Sequence, residues 1–305
     1  MGHCNTKNSA SQTIPSWTGF NIKTRDQESI SEDVVGYLPT VNAPATELTT
    51  VYEILKQSDL IRNELSLDTL VVVMDQALYA KAVEIAWKHK ERFSHIPLRM
   101  GTLHTIMNAL SIIGKRFCDG GLKDICIEAG IVAEGSINGV IDGRQYNRAI
   151  RVHKCIYEAL MRLAWSEFTL RVGSSEEKSA VIKSCVDKVN NIADDLNQQD
   201  FSNLLDSPQL LELMIMWRDF LEHLRHNNGE LSGYWMSYID MVEHVILGLL
   251  RASREGNWDL HINAIRTMIP WCFAYGKVNY ARYMYAYFAQ MTHLPDNTPD
   301  VYRAF

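Results

Sequence analysis

The sequence predicts a mainly helical chain with a short α/β core in its first half and a large all-helical region after it. Two observations predict this. Leu70-Val-Val-Val-Met74 is an apolar, β-branched run of strand length, and Ile96-Pro-Leu-Arg-Met100 is a second short strand candidate. After about residue 101, every apolar pattern repeats at the helical period.

Composition supports a folded chain. The protein has 305 residues, 47% of them apolar and 22% charged, with 17 Gly and 8 Pro. These values exclude a collagen-like, low-complexity or wholly disordered chain. The length suits one large domain or two of roughly 150 residues. The longest apolar runs, such as Val245 to Leu250, fall far short of the ~20 residues that span a bilayer.

A net charge of −6 excludes a generically basic nucleic-acid binder, so any phosphate contact must come from a local patch. Cys4, Cys118, Cys126, Cys155, Cys185 and Cys272 are scattered without a C-x-x-C, and residues 1–30 are too polar for a secretory signal. These features point to reduced thiols in a nuclear or cytoplasmic protein. Met1-Gly2-His-Cys4-Asn-Thr6 matches the N-myristoylation pattern at Gly2, with Cys4 available for a second lipid. One such chain holds a membrane weakly, and the alternative is an unmodified tail.

Residues 1–30 read as a disordered tail, with Trp17-Thr-Gly-Phe20 as an anchor. Val34 to Leu38 suits a short extended piece closed by Pro39. Thr50-Val-Tyr-Glu53 fits a capping box for a helix to about Glu64, with Val51, Ile54, Leu55 and Ile61 on one face. The Leu70–Met74 run suits a strand buried on both faces and ends in Asp75. A helix follows over Ala77 to Glu91, then the second strand, then a helix from Thr102 to Phe117 ended by Asp119-Gly-Gly121.

Further helices are predicted over 122–129, 136–141, 146–170, 175–196, 208–225, 231–254, 258–275 and 278–291. Gly143, Gly173, Asn228-Gly229, Gly256 and Gly276 punctuate them. The domain reading is therefore a tail over 1–30, a partial α/β core over 31–144 and a helical region over 145–305.

Several side chains suit chemistry. An acid at the end of a buried strand is where open α/β sheets place ligands, so Asp75 can hold Mg²⁺ or Mn²⁺; the alternative is a helix cap. His104 lies on the first turn of the helix leaving the second strand, where it can orient a carboxylate or simply bond backbone. Arg144, Arg148, Arg151 and Lys154 recur at i, i+3/i+4, with Tyr146, Asn147 and His153 nearby. That stripe can bind DNA phosphates or be a solvated face.

The aromatic run Trp271, Phe273, Tyr275, Tyr280, Tyr283, Tyr285, Tyr287 and Phe288 can stack on bases or form core and interface. Glu222, His223, His226, Glu230, Glu243 and His244 offer metal-type side chains without the H-E-x-x-H order. No P-loop, G-x-G-x-x-G or G-x-S-x-G motif is present.

Asp75-Gln-Ala-Leu-Tyr-Ala-Lys81, Arg99-Met-Gly-Thr-Leu-His104, Gly143-Arg-Gln-Tyr-Asn-Arg148 and Leu250-Arg-Ala-Ser-Arg-Glu-Gly-Asn-Trp-Asp-Leu260 form a set. They resemble uncharacterised proteins encoded by repetitive elements in animal genomes, from about Trp17 to the end. More distantly, the order of features resembles hobo-Activator-Tam-type transposases, whose RNase H-like core carries a strand-end Asp, a Cys/Asp-x-x-His motif and a helical insertion before a final Glu. The resemblance implies a short, partial RNase H-like sheet. It implies Asp75 as the second acid, Gly101-Thr-Leu-His104 as the x-x-His motif, and residues after about 145 as the insertion.

The departures are specific. Gly101 occupies the Cys/Asp position, and no convincing first acid precedes Asp75, only loop candidates such as Asp26 or Asp33. Glu243, Glu255 and Asp259 lie late enough for the final acid, but the expected place is beyond Phe305, as in a fragment of a longer reading frame. Two-metal phosphoryl transfer clamps two ions about 4 Å apart with several carboxylates. The expectation is therefore a transposase-derived chain that does not cut DNA alone. The alternatives are a non-catalytic helical interaction module, pairing with itself or a helical partner, and a metal-dependent hydrolase using Asp75 and His104.

Overall fold

The computed structural model describes residues 35–192 and 203–303. The expected tail, its Trp17–Phe20 anchor and Gly2 lie outside them. The described chain is mainly helical with one small parallel sheet. Its first part runs helix α1 (Leu48–Glu64), strand β1 (Val72–Met74), α2 (Gln76–Lys88), the single turn α3 (Lys90–Phe93), β2 (Leu98–Met100) and α4 (Thr102–Phe117). Then come α5 (Lys123–Glu128), α6 (Ile137–Ile141), α7 (Tyr146–Val172), α8 (Glu176–Ile192) and α9 (Pro208–His226). The last part is α10 (Glu230–Met241), α11 (Gly248–Glu255), α12 (Trp258–Ala274), α13 (Val278–Thr292), α14 (Leu294–Asn297) and α15 (Pro299–Arg303).

Two compact units divide this chain. Among the described residues, one holds 35–158 and 237–303, and the other holds 159–192 and 203–236. The division falls inside α7 and α10, so it follows packing and not a linker.

In the larger unit, β1 and β2 pair in parallel, with Val72 opposite Leu98 and Met74 opposite Met100. Parallel neighbours need a crossover, and α2 with α3 supplies it. Met74, Leu98 and Met100 are buried on one face, and α2 packs on β2 there. The other face carries Val71, Val73 and Arg99 and opens into a cavity of 680 Å³, also lined by Thr69, Thr102, Ser253 and Asp300. Val73 is 60% exposed, which corrects the expectation of a strand buried on both faces. A two-stranded sheet covered on one face alternates in and out.

Hydrophobic spacing explains the helices around it. Tyr79, Ala82 and Val83 on α2 are buried, as are Ala281, Met284, Tyr287 and Met291 on α13. The rings of Tyr79 and Tyr287 meet edge to face at 5.7 Å. The α12–α13 hairpin turns through Gly276 at φ 64°, with Lys277 N–H donating to Cys272 O and Gly276 N–H to Phe273 O. This is the paired C-terminal closure that favours glycine in the left-handed region.

Other local expectations are corrected. The Thr50–Glu53 capping box does not form, because the helix already starts at Leu48 and Glu53 pairs with Lys56. The stop at Asp119-Gly-Gly121 is a π-helical kink into α5, with Gly121 at φ 108°. The single helix expected over 231–254 contains a π turn over Val242–Leu247. Residues 35–38 are exposed coil.

The smaller unit packs the C-terminal part of α7 with α8 and α9. Trp165, Phe168, Trp217 and Phe220 form its aromatic centre, with ring centroids 5.2–5.7 Å apart. The α9 start is capped by Ser207, whose hydroxyl accepts from Leu210 N–H, with Pro208 at the first helical position.

Candidate functional site

The two strand ends lie side by side. Gly101 N–H donates to Met74 O at 2.7 Å, so Asp75 and Gly101 leave adjacent strands. A Cβ on Gly101 would stand 3.3 Å from that same carbonyl, so a larger residue fits only with a small shift. Asp75 is the N-cap of α2, and its Oδ1 accepts from Leu78 N–H at 2.9 Å. The helix-cap alternative is thus realised, and one carboxylate oxygen is engaged in it.

His104 is exposed on the first turn of α4. Tyr280 meets the backbone of His104 and lies within electrostatic reach of Asp75. The Tyr280 hydroxyl donates to His104 O at 3.1 Å. Burial raises the Tyr280 pKa, and the nearby Asp75 carboxylate raises it further. The C-terminal end of the sheet therefore gathers Asp75, His104 and Tyr280. Among the described residues, no group of three or more His, Cys, Asp or Glu side chains is arranged to hold a metal ion.

Farther along α4, Ser111 accepts a hydrogen bond from Lys277 Nζ at 2.9 Å. Desolvation holds the Lys277 pKa below its ordinary value, and the like charge of Lys115 adds to this, while Cys272 and Asp142 oppose it. Asn108, on the same face, approaches the Cys272 sulfur at 3.8 Å, and burial pushes that thiol up to about 12. Sequence reading missed Ser111, Lys277 and the bridging role of Tyr280. Their partners lie more than 160 residues away, and no local pattern announces the pairing.

The basic stripe is only partly a stripe. Arg144 precedes α7 and pairs with Asp142 at 2.6 Å. Arg148 is exposed and donates to Gln145, and Arg151 is exposed. Lys154 is half-buried, and burial, then the charge of Arg254, lowers its pKa. His153 is buried, so it cannot join a phosphate surface. Its Nδ1 lies 2.8 Å from the Tyr238 hydroxyl, its Nε2 has no partner among the described residues, and burial drops its pKa to about 4.

The aromatic run divides between core and surface. Tyr287 is buried and hydrogen-bonded to Arg99, and its hydroxyl lies 2.9 Å from His261 Nε2. Burial, then the Arg99 charge, drops the His261 pKa to about 3, so the ring paired with Tyr287 is neutral. Trp271 stacks on Tyr275 beneath the Arg116 guanidinium, whereas Phe273 and Tyr285 are exposed. The metal-type residues do not converge either. His226 lies 3.4 Å from Glu222 in the exposed last turn of α9, and Glu243 accepts from Tyr157 at 3.0 Å.

The family model described as "Domain of unknown function (DUF8702)" matches residues 16–305. The chain belongs to that family. The match runs through both strands, the strand-end residues and the whole helical region, so the arrangement above lies within a single family domain. No curated protein and no solved structure matches it.

Proposed function

We propose that this chain is a transposase-derived, RNase H-like protein that binds DNA and does not by itself cut it. The observation that carries this reading is the parallel pair β1–β2 with Asp75 and the Gly101–His104 helix start at adjacent strand ends. The carboxyl end of a parallel strand is where open α/β sheets place their ligands. The exposed Arg148 and Arg151 offer a local cationic surface that suits phosphates despite the net charge of −6. The non-cutting half rests on charge counting. Asp75 already caps α2, and a two-ion clamp needs several carboxylates.

The test is a calorimetric titration of Mg²⁺ and Mn²⁺ with a plasmid-nicking assay, on the wild type and Asp75→Asn. The expected result is weak ion binding that the substitution removes, and no nicking. Nicking abolished by Asp75→Asn would overturn the non-cutting half. Identical ion isotherms for both proteins would remove Asp75 as a metal ligand.

A second reading, a helical interaction module, draws on the smaller unit. Leu163 and Leu170 on α7, and Leu211, Met214 and Ile215 on α9, are exposed. Apolar side chains repeating along a helix face suit a partner helix. Unchanged sedimentation of the wild type and a Leu211→Ser/Ile215→Ser variant across a wide concentration range would count against self-association through that row.

A further inference from the structure

Three separate parts of the chain meet around one hydroxyl, and one of them brings a cation directly to it. Ser111 sits midway along α4, with Lys115 one turn later on the same face. Lys277, at the start of α13, reaches Ser111 Oγ at 2.9 Å. The turn Asp142-Gly143-Arg144 is pressed against the same stretch of α4. A Cβ at Gly143 would stand 2.7 Å from Met107 O, 3.0 Å from Leu110 Cβ and 3.5 Å from Ser111 N. Gly143 also has φ +74°, so two constraints demand glycine there. Its close seating sets the backbone of this turn against Ser111, with Arg144 next in the chain.

Lys277 feels the like charge of Lys115 and the opposite charge of Asp142, which also pairs with Arg144. Lys277 is partly desolvated and sits beside the like charge of Lys115. An anion relieves that repulsion, and the Ser111 hydroxyl can donate to it once its oxygen accepts from Lys277. His104 lies seven residues earlier on α4, about 10 Å along the axis at 1.5 Å per residue. That spacing places the cationic cluster a short step along a strand from the Asp75 end of the sheet.

We propose that Lys277, Lys115 and Arg144, gathered around the Ser111 hydroxyl, form a phosphodiester-binding site that grips the backbone of a single DNA strand and leads it toward Asp75. This deepens the DNA-binding reading above and rests on it. It also moves the phosphate contact from the α7 stripe to the junction of α4, the Gly143 turn and α13.

The test is fluorescence anisotropy of a labelled single-stranded 20-mer with the full chain at several salt concentrations. Three cations predict a log–log salt slope of about −2. Lys277→Gln and Lys115→Gln should each lower the slope magnitude by about 0.7–1 and weaken binding several-fold at low salt. Lys178→Gln and Lys183→Gln, on exposed α8, serve as controls that leave both unchanged. Lys115 is exposed, so Lys115→Glu tests the site even if the Lys277 variant fails to fold. Wild-type binding with slopes unchanged in the Lys115 and Lys277 variants would overturn this site and leave the DNA-binding reading standing. Absence of wild-type binding at low salt would overturn both. Full displacement of the strand by low-millimolar inorganic phosphate would show a free-phosphate site and overturn the strand proposal.

Discussion

The Tyr280 hydroxyl donates to the backbone carbonyl of His104 at 3.1 Å, tying the start of α13 to the first turn of α4. The bond spans 176 residues and joins the last long helix to the end of the sheet. A bond of this kind contributes about 1 kcal/mol net. Tyr280→Phe should therefore lower the urea-unfolding free energy by about that amount and leave the far-ultraviolet dichroism unchanged. A loss of zero would mean that the hydroxyl is satisfied equally well by water.

Asp75 gives a sharper contrast. Its Oδ1 caps α2, so Asp75→Ala should cost about 1 kcal/mol, while Asp75→Asn keeps the acceptor and costs little. Equilibrium unfolding separates the two. Equal destabilisation by both substitutions would point to the negative charge, and not the cap bond, as the stabilising feature.

Gly114 marks the tightest approach in the larger unit. A Cβ there would fall 2.1 Å from Ile141 O, where α4 crosses the end of α6. Gly114→Ala should destabilise the fold by about 3 kcal/mol, the upper range for overpacking. Thermal melting of this variant beside Gly135→Ala, where a Cβ meets nothing within 4 Å, gives the comparison. Equal melting temperatures would contradict the close crossing.

Two buried histidines set an acid sensitivity. His153 and His261 have folded pKa values of about 4 and about 3, because burial penalises their charged forms. The unfolded chain binds protons to both near the ordinary value of about 6.5, so stability is fully present above that pH and falls as pH drops below it. Each histidine contributes a slope of about 1.4 kcal/mol per pH unit in that window. Urea midpoints between pH 6.5 and 5, above most carboxylate titration, should fall steadily. A flat profile there would show that neither ring is buried neutral.

Much of the helical order was legible in the sequence because it is local. The α4 start at Thr102, the α9 start at Pro208, the α12 start at Trp258 and the α13 start at Val278 follow from caps, glycines and apolar period. The first strand was legible as a β-branched run and the second as a short apolar one, though the exposure of Val73 was not, since burial on a second face depends on what covers it. The π turns at 118–122 and 242–247 leave no propensity signal, because they arise from packing within otherwise helical sequence. At the site, Asp75 and His104 could be placed at adjacent strand ends from sequence alone. Tyr280, Lys277 and Ser111 could not, because their roles exist only through contacts across more than 160 residues. The α7 stripe was read from spacing, which cannot show that Arg144 precedes the helix or that Lys154 is half-buried.

The central claim is that this chain binds DNA without cutting it. The most direct measurement is retention of a labelled single strand by the purified chain with Mg²⁺ present, followed by denaturing electrophoresis of that strand. The account predicts retention that weakens as salt rises, and a strand recovered at full length. A strand that is never retained at low salt, or one recovered in pieces only when Asp75 is intact, would contradict it.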